Sequence, residues 1–258
     1  MPASIPAANS LLAALPARQY RRLLANLEPV ALTFGEVLYD PGQPIRHVYF
    51  PSDSLVSLLT LVDGRLALEV GLVGREGMVG IPLALGVGVT SVRALVQGAG
   101  TALRMESARF RRELPRCASL RRELHRYAHV LMAQITQTAA CNRFHVVKAR
   151  LARWLLMTRD RVRSDQFRLT QEFLAHMLGV RRVGVTDAAG ALQERELISY
   201  RRGHIRILDG IGLQAAACRC YERVGDEPAT RRRNGNSGAR RGRPESSTAA
   251  TKRSIQHG

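Results

Sequence analysis

The stretch Leu169–Leu208 reads LTQEFLAHMLGVRRVGVTDAAGALQERELISYRRGHIRIL, and its pattern is that of a helix-turn-helix followed by a winged β-hairpin. Thr170 is an N-cap residue ahead of a helix whose apolar side is Phe173, Leu174, Met177 and Leu178, recurring at three- and four-residue steps. Gly179 then lets one helix stop and a second begin at a steep angle. That second helix starts at Arg181-Arg182 and buries Val185, Ala188, Ala189 and Leu192, leaving Arg181, Arg182, Thr186 and Gln193 on its other side. Arginines at the start of an anchored helix suit a major groove, where a guanidinium reads guanine O6 and N7 in bidentate fashion. Glu196–Tyr200, the basic turn Arg201-Arg202-Gly203 and His204–Leu208 then predict two short strands with a phosphate-touching tip. The candidate DNA-binding set is therefore Arg182, Arg181 and Thr186 toward the bases, with Thr170, Gln171, Arg201, Arg202 and His204 toward the backbone. A helical hairpin with a solvated basic face is the blander alternative, but turn, basic helix start and wing occur here in the order a DNA reader requires.

Composition agrees. With 39 Lys+Arg against 21 Asp+Glu the formal net charge is +18, and every basic residue but Lys148 and Lys252 is arginine. Such a surplus favours a polyanionic partner, here double-stranded DNA, although the tail after Asp226 inflates it. No apolar run is long enough to span a bilayer, and MPASIPAANSLLAALPARQYRR has no basic region ahead of its apolar residues. A cytoplasmic protein without membrane contact is expected. Cys117, Cys141, Cys218 and Cys220 are scattered, and the single residue between the last two is not the usual spacing of a zinc or redox pair. Buried thiols, no cofactor and no metal are expected.

Working outward, residues 10–27 form an amphipathic lead-in whose apolar set is Leu11, Leu12, Leu15, Tyr20, Leu23 and Leu24. From Pro29 to Leu103 come short β-rich runs, including 30–34, 48–50, 55–62 and 66–73, punctuated by glycine turns, with Asp63-Gly64 a hairpin signal between the last two. They predict a β-roll or barrel. A helix from Cys117 to Cys141 carries Leu120, Leu124, Tyr127, Leu131 and Ile135, the spacing of a coiled-coil seam between two copies or of a helix packed on its own domain. The two-copy reading suits a reader of two-fold half-sites. A further helix, Arg143–Asp160, offers Val146, Val147, Leu151, Trp154 and Leu155 for packing, and the Arg-, Gly- and Ser-rich tail from Asp226 is expected to be disordered. The expected fold class is α+β: a cupin-like β-roll sensor (10–116), a dimerisation helix (117–142), a winged helix-turn-helix (143–215) and a basic tail (226–258).

This order of parts resembles the Crp/Fnr family of bacterial transcription regulators. The helix-turn-helix follows the family pattern Thr-x-x-x-[apolar]-x-x-x-[apolar]-Gly-x-x-Arg-x-x-[apolar] from Thr170 to Val185, which gives Arg182 the base-reading role. Val183 stands where many members have a base-contacting glutamate, and Asp187 where a second basic residue often sits, so the resemblance implies a different operator. Cyclic-nucleotide-binding members use a Gly-Glu-[apolar] and Arg-[Ser/Thr]-Ala cassette. The corresponding stretches here, Gly74–Leu83 and Thr90–Ala94, place Ile81 after Gly80 where the glutamate belongs and offer only Arg93. A buried phosphate without a cation is costly, so the candidate effector pocket of Gly80, Ile81 and Arg93 reads as degenerate; a shifted register would bring Arg93 or Glu76 into it. The resemblance further implies a homodimer, RNA polymerase as a partner, and an effector of unknown chemistry. Haem has only His47, His125 and His129 to draw on, and the last two lack a third metal ligand nearby. Alternatives that stay open are a cyclic-nucleotide-gated regulator and an architectural DNA binder driven by the tail, whose Arg240-Arg241-Gly242-Arg243-Pro244 resembles an AT-hook core. An enzyme on the roll would need a His and carboxylate cluster on the strands, where only His47 falls.

Overall fold

The computed structural model describes residues 9–62 and 66–225. The Asp63-Gly64 turn and the tail from Asp226, with its Arg240–Pro244 motif, lie outside the described residues. The amphipathic lead-in is two short helices, α1 (Ser10–Ala13) and α2 (Ala17–Leu24). Pro16, which has no N–H to continue a helix, separates them as the N-cap of α2. The Asn9 side chain accepts from the N–H groups of Leu11 and Leu12 while its amide donates to the carbonyls of Pro51 and Gly77, fastening α1 to the sheet behind it.

The β-rich region is β1 (Glu28–Leu32), β2 (Val37–Tyr39), β3 (His47–Pro51), β4 (Leu55–Val62), β5 (Leu66–Val73), the short helix α3 (Ile81–Ala84), β6 (Arg93–Gly98) and β7 (Gly100–Glu106). The strands form two antiparallel sheets ordered β1-β7-β3 and β2-β6-β4-β5. In β4, Leu55 to Leu59 are all buried, with no alternation. The reason is that both faces are covered: Val56 and Leu58 belong to the roll core, whereas Leu59 joins the core of the C-terminal half.

After α4 (Ser107–Glu113) and a turn of tighter helix come α5 (Ala118–Phe144) and α6 (Val147–Val162). The face of α5 expected to form a seam between chains does something else. Leu120, Leu124, Tyr127 and Leu131 are 0%, 0%, 5% and 8% exposed and belong to the core of their own roll. Leu131 reaches Gly71, and a Cβ on Gly77 would fall 2.1 Å from the Tyr127 ring, so these elements leave no room between them. The stripe is apolar because it packs on β5 and the Gly74–Gly80 loop. Ile135 sits at the edge of this packed face and is half-buried. The next helix also begins later than Arg143. His145 and Val146 are extended, at φ −116°, ψ 143° and φ −66°, ψ 151°, so the chain turns before α6 starts, and Val146 is 70% exposed instead of packed.

Beyond α6 lie β8 (Gln166–Arg168), α7 (Gln171–Leu178), α8 (Arg182–Gln193), β9 (Ile198–Arg201), β10 (His204–Ile207), α9 (Gly210–Ala216) and α10 (Cys220–Gly225). This half docks on the outer face of the second sheet. Phe34 packs on Phe173 with ring centroids 5.5 Å apart, and Leu68 abuts Gly179. Trp154 Nε1 donates to the Glu69 carboxylate at 2.8 Å, and the Ser57 hydroxyl donates to its other oxygen at 2.7 Å. Burial pushes the Glu69 carboxyl up to about 7, against the opposing pull of those two donors and of Arg161 and Arg153. Nearby, Arg161 bonds Glu76 at 2.8 Å and the Gln134 amide oxygen at 3.2 Å.

Candidate nucleic-acid interface

Local signals build the reading head. The Thr170 hydroxyl accepts from the Phe173 N–H at 3.1 Å and so caps α7. Gly179, at φ 60°, ends the helix in the left-handed conformation that suits a residue without Cβ. Arg181 then caps α8 with extended backbone. Val185, Ala188, Ala189 and Leu192 are buried, as their spacing predicts, which anchors α8 on α6 and α7. The opposite side of α8 is open: Arg181, Arg182, Val183, Thr186, Asp187 and Gln193 are all exposed.

Within that open surface Gln171 links the helices. Its amide oxygen accepts from Thr186 Oγ1 at 3.1 Å and from Arg182 Nε at 3.4 Å. A glutamine expected only to touch backbone therefore also aims the guanidinium. Arg182 is exposed beyond this contact, which leaves its terminal nitrogens available for a bidentate contact. The Thr186 hydroxyl also lies 3.2 Å from the Arg182 carbonyl, a second acceptor for its one proton.

The wing is β9 and β10, joined through Arg202 at φ 49° and Gly203 at φ 79°. Two consecutive positive φ values make a two-residue turn that matches strand twist, which leaves Arg201 and Arg202 exposed at the tip. A third strand, β8, pairs with β10 and sets Arg168 across from His204. It was not anticipated because Gln166–Arg168 is too short to show a period. The Tyr200 hydroxyl donates to the Leu169 carbonyl at 2.9 Å and ties the wing to the start of α7.

The candidate effector residues are placed differently. Gly80, at φ 102°, precedes α3 in left-handed conformation and Ile81 is 6% exposed in the roll core. Arg93 lies on β6 and pairs with Asp40, so its charge is already met. Tyr39, Tyr127 and Met78 are buried in the same core. The cysteines, scattered in sequence, converge: Cys141, His145, Cys218 and Cys220 have their donor atoms all within 4.8 Å of one another. The one local hint was Cys141 and His145, a helical turn apart.

A helix-turn-helix with a wing, docked on a β-roll through a long helix, is the architecture of a DNA-binding transcription regulator. Residues 149–216 match the family model of the Crp-like helix-turn-helix domain. Among solved structures the chain is similar to the c-di-GMP-responsive global regulator CLP of Xanthomonas campestris, with 18% identity and a TM-score of 0.61 over 75% of this chain and 100% of that one. It is similar to FixK2 of Bradyrhizobium japonicum, at 12% identity and a TM-score of 0.63 over 74% of this chain and 98% of the other. A CRP-family regulator of Thermus thermophilus gives 20% identity and a TM-score of 0.56 over 73% and 96%. No curated relative of matching sequence is found. The head thus matches the Crp-like helix-turn-helix domain, and most of the described chain has the fold of the Crp/Fnr regulators, which bears out the resemblance. No helix among the described residues is long and apolar enough to cross a membrane.

Proposed function

We propose that the chain reads a two-fold symmetric DNA site as a homodimer, with Arg182 discriminating bases and a roll that takes no cyclic nucleotide. The observation that carries this is the open face of α8, where Gln171 holds Arg182 and Thr186 together while the side behind them is fully packed. Arg181 lies beside them, and Thr170, Arg201, Arg202 and His204 face the flanking phosphates. Val183 offers a thymine methyl an apolar contact, and Asp187 repels phosphate, so the site differs from one read by a glutamate and a second basic residue.

The dimer uses the side of α5 that borders the roll-packed stripe. Ala128, Met132, Ile135 and Ala139 recur at steps of four, three and four; Met132 is 62% exposed and Ala139 is exposed, while Ala128 and Ile135 sit partly against the roll at the border. A partner helix on this stripe would set two copies of α8 on successive major grooves. RNA polymerase is the natural further partner of such a regulator.

The packed roll supports the absence of a cyclic nucleotide: Ile81 fills the acidic position, Arg93 is paired, and Tyr127 closes on Gly77. The test is selection of bound sequences from a random duplex pool by the purified protein, alone and with cyclic AMP, cyclic GMP or c-di-GMP. A symmetric site recovered without ligand is expected. A site that emerges only with a nucleotide would overturn the degenerate sensor, and no site at all would favour binding driven by the basic tail. Met132→Glu is expected to shift the sedimenting species from dimer to monomer with the fold intact; an unchanged dimer would move the interface elsewhere.

A further inference from the structure

We propose that Cys141, His145, Cys218 and Cys220 form a tetrahedral zinc site that clips the α5–α6 junction to the segment between α9 and α10. The four residues come from two places far apart in the chain. Cys141 lies in the last turn of α5 and His145 is that helix's C-cap residue, whereas Cys218 and Cys220 flank the start of α10. Cys141 Sγ and Cys218 Sγ are 3.4 Å apart, and Cys220 Sγ is 3.6 Å from His145 Nδ1. Zinc–sulfur bonds of about 2.3 Å at tetrahedral angles give ligand–ligand edges of roughly 3.8 Å. The observed edges therefore need only small side-chain adjustments around an ion. All three sulfurs are buried, and the imidazole closes the side nearest solvent.

The surroundings carry an independent signal. Arg150 and Arg153 are 7% and 6% exposed, and neither pairs with a carboxylate within ion-pair distance among the described residues. Their Nη2 atoms donate to the Leu178 carbonyl and the Thr138 hydroxyl, but Nε of each has no hydrogen-bond partner among the described residues. Two buried guanidinium ions with no carboxylate in ion-pair contact are expensive. Three thiolates around a divalent ion leave one net negative charge, which offsets part of that cost. Cys141 and Cys218 are close enough to share a hydrogen bond, and the Arg153 charge lies near the Cys141 sulfur. Deprotonated sulfur is the form that binds metal. Gln137 Nε2 lies 2.9 Å from Cys220 Sγ and donates to it, the kind of outer hydrogen bond that orients a metal-bound sulfur.

A disulfide between Cys141 and Cys218 is the competing use of these atoms. It would engage two donors of four, leaving Cys220 and His145 gathered to no purpose and the two arginines uncompensated. An ion engages all four. Its position matters because His145 and Val146 are the extended residues at which the chain leaves α5 for the reading head. Fixing this corner fixes how the head is carried.

The test uses the full chain, purified under reducing conditions, stripped with chelator and titrated anaerobically with Co(II). Intense visible d–d bands and sulfur-to-cobalt charge-transfer absorption are expected, saturating at about one ion per chain and bleached by Zn(II). His145→Ala and Cys220→Ser should each weaken binding at least tenfold, whereas Cys117→Ser, whose thiol lies in the roll core, should bind as the wild type does. His145 is the safer variant because it lies at the open side of the cluster. Only weak octahedral cobalt absorption in the folded wild type would overturn the site, as would wild-type affinity in both ligand variants. Mapping of a Cys141–Cys218 disulfide in metal-free, freshly purified protein would assign the pair to redox chemistry instead.

Discussion

The reading head and the β-roll treat their polar side chains in opposite ways. On α8 the chain keeps Arg181, Arg182, Thr186 and Gln193 in solvent and spends a glutamine on orienting two of them. In the roll, side chains are turned to packing or paired within the chain: Ile81 is core, Arg93 has Asp40, and Tyr127 rests on Gly77. One half leaves its charged side chains in solvent, while the described interior of the other is filled by its own side chains. The contact between the halves, where Trp154 and Ser57 hold a fully buried Glu69, then decides how firmly the roll carries the reader.

The contrast can be broken most directly in the roll. Leu124→Ala removes a fully buried side chain from the α5–roll core and should cost roughly 3–5 kcal/mol in denaturant unfolding. If that variant kept its stability yet lost its dimer, Leu124 would belong to an interface between chains after all.

Glu69→Gln tests the joint between the halves. Its folded-state value, about 7, is above the ordinary 4.5, so the folded chain holds a proton there that the unfolded chain has released between those limits. Its contribution is fully present below 4.5, falls as pH rises toward and through 7, and is flat above. The interval is worth about 3 kcal/mol. Urea midpoints of the wild type should carry this slope and those of the glutamine variant should not; parallel curves would remove Glu69 from the titrating groups of the joint.

On the head, Arg182→Ala should lose roughly 1–3 kcal/mol on the selected site by fluorescence anisotropy and little on random duplex. Equal losses on both would make it a phosphate contact. The smallest effect belongs to Tyr127→Phe. Its hydroxyl is buried without a hydrogen-bond partner among the described residues, so removing it should raise stability by about 1 kcal/mol. A drop in stability would mean the hydroxyl has a partner inside the roll, and the roll would deserve a search for a ligand.

The helix-turn-helix was legible because each of its signals lies within a few residues of what it controls. Thr170 caps the helix it precedes, Gly179 ends it, and Arg202-Gly203 sets its own turn. The strands from Leu55 to Val62 and Leu66 to Val73 were legible as apolar runs, although not the reason that the first is buried on both faces. The docking of the head through Glu69 and Trp154 gave no signal, since the two residues are 85 positions apart.

Sequence by itself therefore determined the reading head, its cap, turn, wing and arginine-led helix, together with the α+β order of the parts. Tertiary structure alone decided which partner the apolar stripe of α5 meets. An apolar stripe at heptad spacing is the same whether it packs on a second copy or on its own sheet, and only the position of β5 and the Gly74–Gly80 loop distinguishes them. It also decided the fate of the cysteines. Cys141 and Cys218 are 77 residues apart, and no local pattern records that the turn at His145 and the end of α9 bring them to 3.4 Å.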